Sequence, residues 1–210
     1  MREVTWYFDF VSPYAYLGLH TLKRLPADTS LRYQPVLFAG LLSHWGQRGP
    51  AEIPPKRVWT YRSCIWWANQ NNVPFRMPAA HPFNSLPFLR LSIAVGNSAQ
   101  AVRAIFTALW TTGADPADSV IIESLADTLG VDRKRLSDSS VKNTLRESTE
   151  QAARRGVFGV PTFGIDEQVF WGSDAVDFAA AYLADASILA TEEIKRADSL
   201  PIGASRAGSN

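Results

Sequence analysis

Residues 3–18 read EVTWYFDFVSPYAYLG. The first part, EVTWYFD, is β-branched and aromatic and reads as a buried strand. Ser12-Pro13 then has the form of a helix N-cap followed by proline at the first helical position. Tyr14, Leu17, Leu19 and Leu22 give the following helix an apolar face, ending near Pro26. A second strand is expected over 31–37, LRYQPVL, where Pro35 marks an edge or a bulge. This is the start of a βαβ unit, so the two strands should run parallel.

Outward from that unit the chain changes character. LLSHWGQRGPAEIPP, residues 41–55, reads as a Gly- and Pro-rich loop. The pattern over 56–71 predicts a helix with Val58, Tyr61, Ile65 and Ala68 on one side. VPFRMPAAHPFNSLP is a long Pro-rich connection, which in a compact domain is more often functional than idle. Helices are expected near 86–96, 98–112, 116–129 and 141–155, with Ser98 and Asp115-Pro116 as starts. The third of these is closed by Gly130. In the second, Val102, Ile105, Phe106, Leu109 and Trp110 form the apolar face. After Gly156, VPTFGI and QVFWG are two short strands separated by Asp166-Glu167, a hairpin by spacing. SDAVDFAAAYLAD is a closing helix with Ser173 or Asp174 as its cap. The order β-α-β, helices, α-β-β-α is an α/β thioredoxin-like mixed sheet with an inserted all-helical domain. Residues 1–38 and 156–185 are expected to form the thioredoxin-like part, with 141–155 at the junction. Residues 39–140 are the insertion, and 199–210 a mobile tail.

Composition narrows the function. Of the 210 residues, 46% are hydrophobic and the net charge is +1, so a sizeable core is available and no basic or acidic block attracts nucleic acid or an anionic membrane. No apolar run approaches the roughly 20 residues a membrane span requires. The amino-terminal MREVTWYFDF is a strand pattern without the long apolar segment of a secretory signal. Cys64 is the single cysteine, so no internal disulfide is possible and a cytoplasmic, reducing location is expected. There are 7 Trp, several clustered in VWTYRSCIWWANQ, which serve either core packing or an aromatic-lined cleft. Cys64, on a helix among tryptophans, is expected to be an inert core thiol. His81 has the pKa for acid–base work, but no catalytic role is assigned to it. His20 and His44 have no partner pattern, and no metal site is expected.

Four motifs, FDFVSPYAYLG, GPAEIPPK, FGVPTF and FWGSD, stand in order and at compatible spacing. Together they resemble the 2-hydroxychromene-2-carboxylate isomerases, close relatives of the kappa-class glutathione transferases, over about residues 3–185. In the wider superfamily the position of Ser12 often carries a cysteine of a C-x-x-C pair. Here the window is Ser12-Pro13-Tyr14-Ala15, which excludes dithiol chemistry. The resemblance implies glutathione as cofactor, with Ser12 as both helix cap and hydrogen-bond partner of its thiolate. Ser12 is not itself the nucleophile, because no His/Asp pair is evident to activate it. Pro161 corresponds to the superfamily's cis-proline, and the backbone of Val160 would pair with glutathione's cysteinyl residue. Ser173 and Asp174 would hold the γ-glutamyl end, and Lys56 the glycyl carboxylate. Gln47 stands where relatives often carry Asn, and keeps an amide available. HPFNSLPFLR resembles the substrate-side segment, which implies Asn84, Ser85 and Arg90 there, with Tyr14, as contacts for a small aromatic substrate. A homodimer is also implied. The implied reaction is cis–trans isomerisation in aromatic degradation. A kappa-like transferase that consumes glutathione shares every thiol-side residue, and a non-catalytic thioredoxin-fold binding protein is the remaining alternative.

Overall fold

The computed structural model describes residues 2–204. Strand β1 (Glu3–Phe8) is followed by α1 (Pro13–Thr21), a short 3-10 turn, and β2 (Ser30–Pro35), which pairs with β1 in parallel from Glu3 opposite Ser30 to Phe8 opposite Pro35. β3 (Thr162–Ile165) and β4 (Gln168–Trp171) form the expected hairpin, and β3 lies antiparallel to β1. The sheet order is β2-β1-β3-β4, which puts β2 on an edge as Pro35 requires. Val36 N–H donates to Phe8 C=O, so the nitrogen of Pro35, one residue earlier, faces away from β1 and no ladder bond is lost there.

Alternation along β1 divides the sheet into two faces. Trp6 and Phe8 pack with α1 and with α5 (Ala99–Thr111); Trp6 stacks on Phe8 at 5.0 Å and Phe10 meets Phe106 at 4.6 Å. α8 (Val176–Ala184) covers the same face through Val176 and Ala179. Tyr7 faces the other way, with Val36, Leu41, Ala152 and Ala153. Those come from the residue after β2, from α2 (Phe38–His44) and from the last turn of α7 (Ser139–Arg154). Between these lie α3 (Pro54–Gln70), α4 (Leu86–Ala94) and α6 (Ser119–Thr128). No helix among the described residues is long and apolar enough to cross a membrane.

The five apolar positions read on α5 are all buried, and Ser98 caps it through Ala101 N–H. Four local expectations need correction. The stretch read as a loop from residue 41 begins inside α2 and contains a 3-10 turn at Pro50–Glu52; α2 has no side-chain cap and is held by burying Leu41 and Leu42 instead. On α3 the buried residues are Thr60, Cys64 and Ala68, while Val58 and Ile65 are 44% and 43% exposed. Apolar residues ring this helix, so periodicity did not single out a face, and the small Cys64 and Ala68 allow the close approach. Trp59 and Trp66 also face solvent. α6 is capped by Asp118, whose Oδ1 accepts Val120 N–H at 3.0 Å, while Asp115-Pro116 forms a turn before it. Neither Ser173 nor Asp174 caps α8, which starts after Ala175 with no side-chain cap. It is not the last helix, since α9 (Glu192–Asp198) follows. Of the tail from Ser199, residues 205–210 lie outside the described residues.

Candidate active site

Ser12 sits where β1 turns into α1. Its Oγ accepts the Ala15 N–H at 3.2 Å, capping the helix, and donates to Val160 C=O at 3.4 Å. That second bond crosses from one end of the sequence to the other and ties Ser12 to the cis Val160–Pro161 step. Pro161 C=O accepts the Gly172 N–H at 2.9 Å, which draws the turn after β4 alongside. Gly172 has φ +117°, a backbone conformation that side-chain-bearing residues rarely adopt, and the Asp174 carboxylate folds over it. Gly18, on α1, allows the same convergence: a Cβ there would stand 3.3 Å from Pro161 Cγ and 3.7 Å from Ser173 Cβ. Ser12, Val160, Pro161 and Ser173 therefore form one cluster around the first turns of α1, with Asp174 exposed at its rim. Pro13 carries no N–H and the Ala15 N–H is already given to Ser12, so it is chiefly the helix dipole that favours an anion at this turn.

The other residues implied by the sequence are dispersed. Tyr14 is half-buried and its hydroxyl meets Ser63 Oγ at 3.2 Å, joining α1 to α3. Lys56 and Gln47 are exposed, on the first turn of α3 and the loop before it, and no hydrogen bond or ion pair joins them to the cluster among the described residues. Asn84 Oδ1 accepts Leu86 N–H at 3.1 Å and so turns back on α4. Arg90 lines a cleft of about 310 Å³ between α2, α4 and α7, with His44, Lys142 and Arg146 over Leu37, Leu86 and Leu145. Ser85 is buried beside a residue the sequence reading passed over, Asp9, whose ionised form it favours.

Asp9 is 1% exposed. Its Oδ1 accepts Val11 N–H at 3.0 Å and its Oδ2 accepts Phe38 N–H at 2.8 Å. Burial holds its pKa above the ordinary carboxylate value, against these bonds and Ser85, which favour the ionised form. The available signal was an acid between two phenylalanines at a buried strand end, since a buried charge needs partners. His81, also left without a role, has two: Nε2 lies 2.8 Å from Val11 C=O and Nδ1 lies 2.8 Å from the Tyr61 hydroxyl. Cys64 is fully buried and burial pushes its pKa up to about 12, so it remains a protonated core thiol at neutral pH. Among the described residues no group of three or more His, Cys, Asp or Glu could hold a metal ion.

This geometry has relatives. A family model for the DsbA-like thioredoxin domain matches residues 3–184. The 2-hydroxychromene-2-carboxylate isomerase of Sphingobium xenophagum is 31% identical over 193 residues, covering 88% of this chain and 99% of that protein. Glutathione S-transferase kappa 2 of Caenorhabditis elegans is 29% identical, over 88% of this chain and 92% of its own length. A solved 2-hydroxychromene-2-carboxylate isomerase superposes with a TM-score of 0.75 at 25% identity, covering 95% of this chain and all of that one. The chain therefore belongs to the 2-hydroxychromene-2-carboxylate isomerase family, an isomerase built on a DsbA-like thioredoxin domain.

Proposed function

We propose that the chain isomerises 2-hydroxychromene-2-carboxylate to trans-o-hydroxybenzylidenepyruvate, or a related aromatic-degradation intermediate, with glutathione as its thiol cofactor. The supporting observation is the Ser12 hydroxyl at the start of α1, aimed at Val160 with no cysteine in its window. The residues present fit glutathione. Ser12 Oγ–H holds only a 3.4 Å bond, which a thiolate would readily replace. Val160 lies outside the strand ladder, which begins at Thr162, and this supports pairing of its backbone with an extended peptide. Ser173 and Asp174 offer a hydroxyl, a carboxylate and a tight turn for the γ-glutamyl end.

When bound, glutathione would supply a thiolate nucleophile for reversible addition to a conjugated enone, the chemistry by which a double bond can be made to rotate. The chain's own part is to hold that sulfur ionised, to orient it, and to keep the acceptor carbon in reach. An ordinary thiol has a pKa of about 8.5, and lowering it by about 2 units takes about 2.7 kcal/mol. A hydrogen bond to a charged acceptor contributes about 1.5–3 kcal/mol and a helix terminus about 0.3–1, which together suffice.

Turnover of hydroxychromene carboxylate should require glutathione and leave its total concentration unchanged. Full activity in thiol-free buffer would overturn the proposal. Loss of glutathione in step with product would favour conjugation instead, the activity named for the kappa-class relatives.

Asp174→Ala should raise the glutathione KM by about 2- to 5-fold with kcat nearly unchanged. Asp174 is exposed and away from the reacting sulfur, so it contributes uniform binding of about 0.5–1 kcal/mol. A glutathione titration superimposable on wild type would reduce it to a surface charge.

A further inference from the structure

The segment that delivers Ser12 is held group by group. Phe10 C=O accepts the buried Trp110 indole N–H at 2.9 Å. Val11 N–H donates to the Asp9 carboxylate, and Ser12 N–H donates to Asp9 C=O at 3.1 Å. Val11 C=O faces His81 Nε2 at 2.8 Å. Val11 C=O and Ser12 N–H belong to one planar peptide unit. That plane is therefore pinned at both ends, by His81 on one side and Asp9 C=O on the other. Its orientation sets the direction in which Ser12 Cα, and so its hydroxyl, leaves the turn.

The chemistry of the pair fixes the state of the ring. A carbonyl can only accept, so Nε2 must carry the hydrogen. In a neutral imidazole Nδ1 is then a lone pair. The Tyr61 hydroxyl lies 2.8 Å from it and 2.9 Å from His81 C=O, so its one hydrogen is shared between two acceptors and it holds the ring against its own backbone. The ring is enclosed by Tyr61, Phe83 and Trp110, with centroids 5.3, 6.1 and 5.6 Å away. Burial draws the His81 pKa below its ordinary value, so the neutral form is the one present near pH 7.

We propose that His81 is a positioning residue for the isomerase site: its Nε2–H fixes the Val11–Ser12 peptide, Tyr61 holds the ring in place, and together they aim the Ser12 hydroxyl at the cofactor sulfur. The last step rests on the glutathione reading above; the first two do not. His81 touches no reacting atom in this role. Its effect should appear in the quality of Ser12's alignment, where a displacement of about 1 Å can cost about 100-fold in rate.

The test uses His81→Phe and His81→Gln with the full chain, each first checked for cooperative unfolding. In wild type, nitrogen-15 NMR of the ring should show the Nε2–H tautomer. With saturating glutathione, His81→Phe should lower kcat about 10-fold or more, move the glutathione KM less than about 3-fold, and raise the midpoint of the thiolate absorbance titration. His81→Gln keeps an N–H donor and should recover most of kcat. An Nδ1–H tautomer in wild type would overturn the proposal, as would a folded His81→Phe enzyme with wild-type kcat and titration. Equal impairment in the Phe and Gln variants would also overturn it, because packing alone would explain the loss. If wild type needs no glutathione, the thiol reading fails by itself, and the tautomer measurements still decide the clamp.

Discussion

Ser12→Ala should give a folded enzyme whose bound glutathione is mostly a thiol at neutral pH. The lost cap costs about 1 kcal/mol, and Val160 C=O gives up only a 3.4 Å bond. For a chain of this size that is a fall in Tm of about 2–4 °C. The thiolate loses more. If the hydroxyl contributes about 1.5–3 kcal/mol, the thiol pKa should rise by about 1–2 units. Starting from a bound value of about 6.5, the thiolate fraction at pH 7 would fall about 3- to 25-fold, and the rate with it. Because the variant only displaces a titration, activity should return in part as pH is raised toward about 9. The measurement is thiolate absorbance against pH with saturating glutathione, in wild type and variant. Coincident curves would leave Ser12 as a helix cap and nothing more.

Asp9→Ala should be the most destabilising polar substitution near the site. It leaves the Val11 and Phe38 N–H groups without their acceptor in a region where Asp9 itself is 1% exposed. A buried donor left unsatisfied costs about 1–3 kcal/mol, and removing a desolvated carboxylate returns part of this. A net loss of about 3 kcal/mol corresponds to about 6–12 °C in Tm. Its pH dependence has a definite sign. Burial raises the folded pKa of Asp9 above 3.8, so the folded state binds the proton more tightly than the unfolded state. The group's contribution is most favourable below 3.8 and declines as pH rises through the raised value. The gap between wild type and variant in thermal unfolding should therefore be widest in acid and narrow toward neutrality. Equal melting temperatures across that range would show that the two amides find other acceptors.

What could be read from the sequence was mostly local. The strand, the Ser-Pro cap and the parallel return to β2 are encoded within neighbouring residues, and so is the hairpin, where Asp166 takes φ +50° at the turn. α5 was legible because its buried stripe is strictly periodic. α3 was not, because its tryptophans and aliphatics occupy every side. The same division holds at the site. Ser12, Pro161 and Ser173 lie in motifs that announce themselves, and the fold brings them together around Gly18. Asp9 offers locally only the hint of an acid between two phenylalanines, its partner Phe38 lying 29 residues away, and His81 acts on a partner 70 residues away that no spacing reveals. A histidine with no local partner pattern carries no information until the chain has folded around it.

The placement of Pro35 has a consequence for the protein in concentrated solution. An exposed sheet edge can recruit a strand from another molecule and seed aggregation. Successive amides of β2 point alternately toward β1 and toward the open edge. On the open side Pro35 has no hydrogen to offer, and the next outward amide, Leu37 N–H, is already given to Thr149 Oγ1 at 2.9 Å. The opposite edge, β4, is four residues long. One edge is thus blunted at its end and the other is short, so neither offers a long template along which a second copy could extend the sheet.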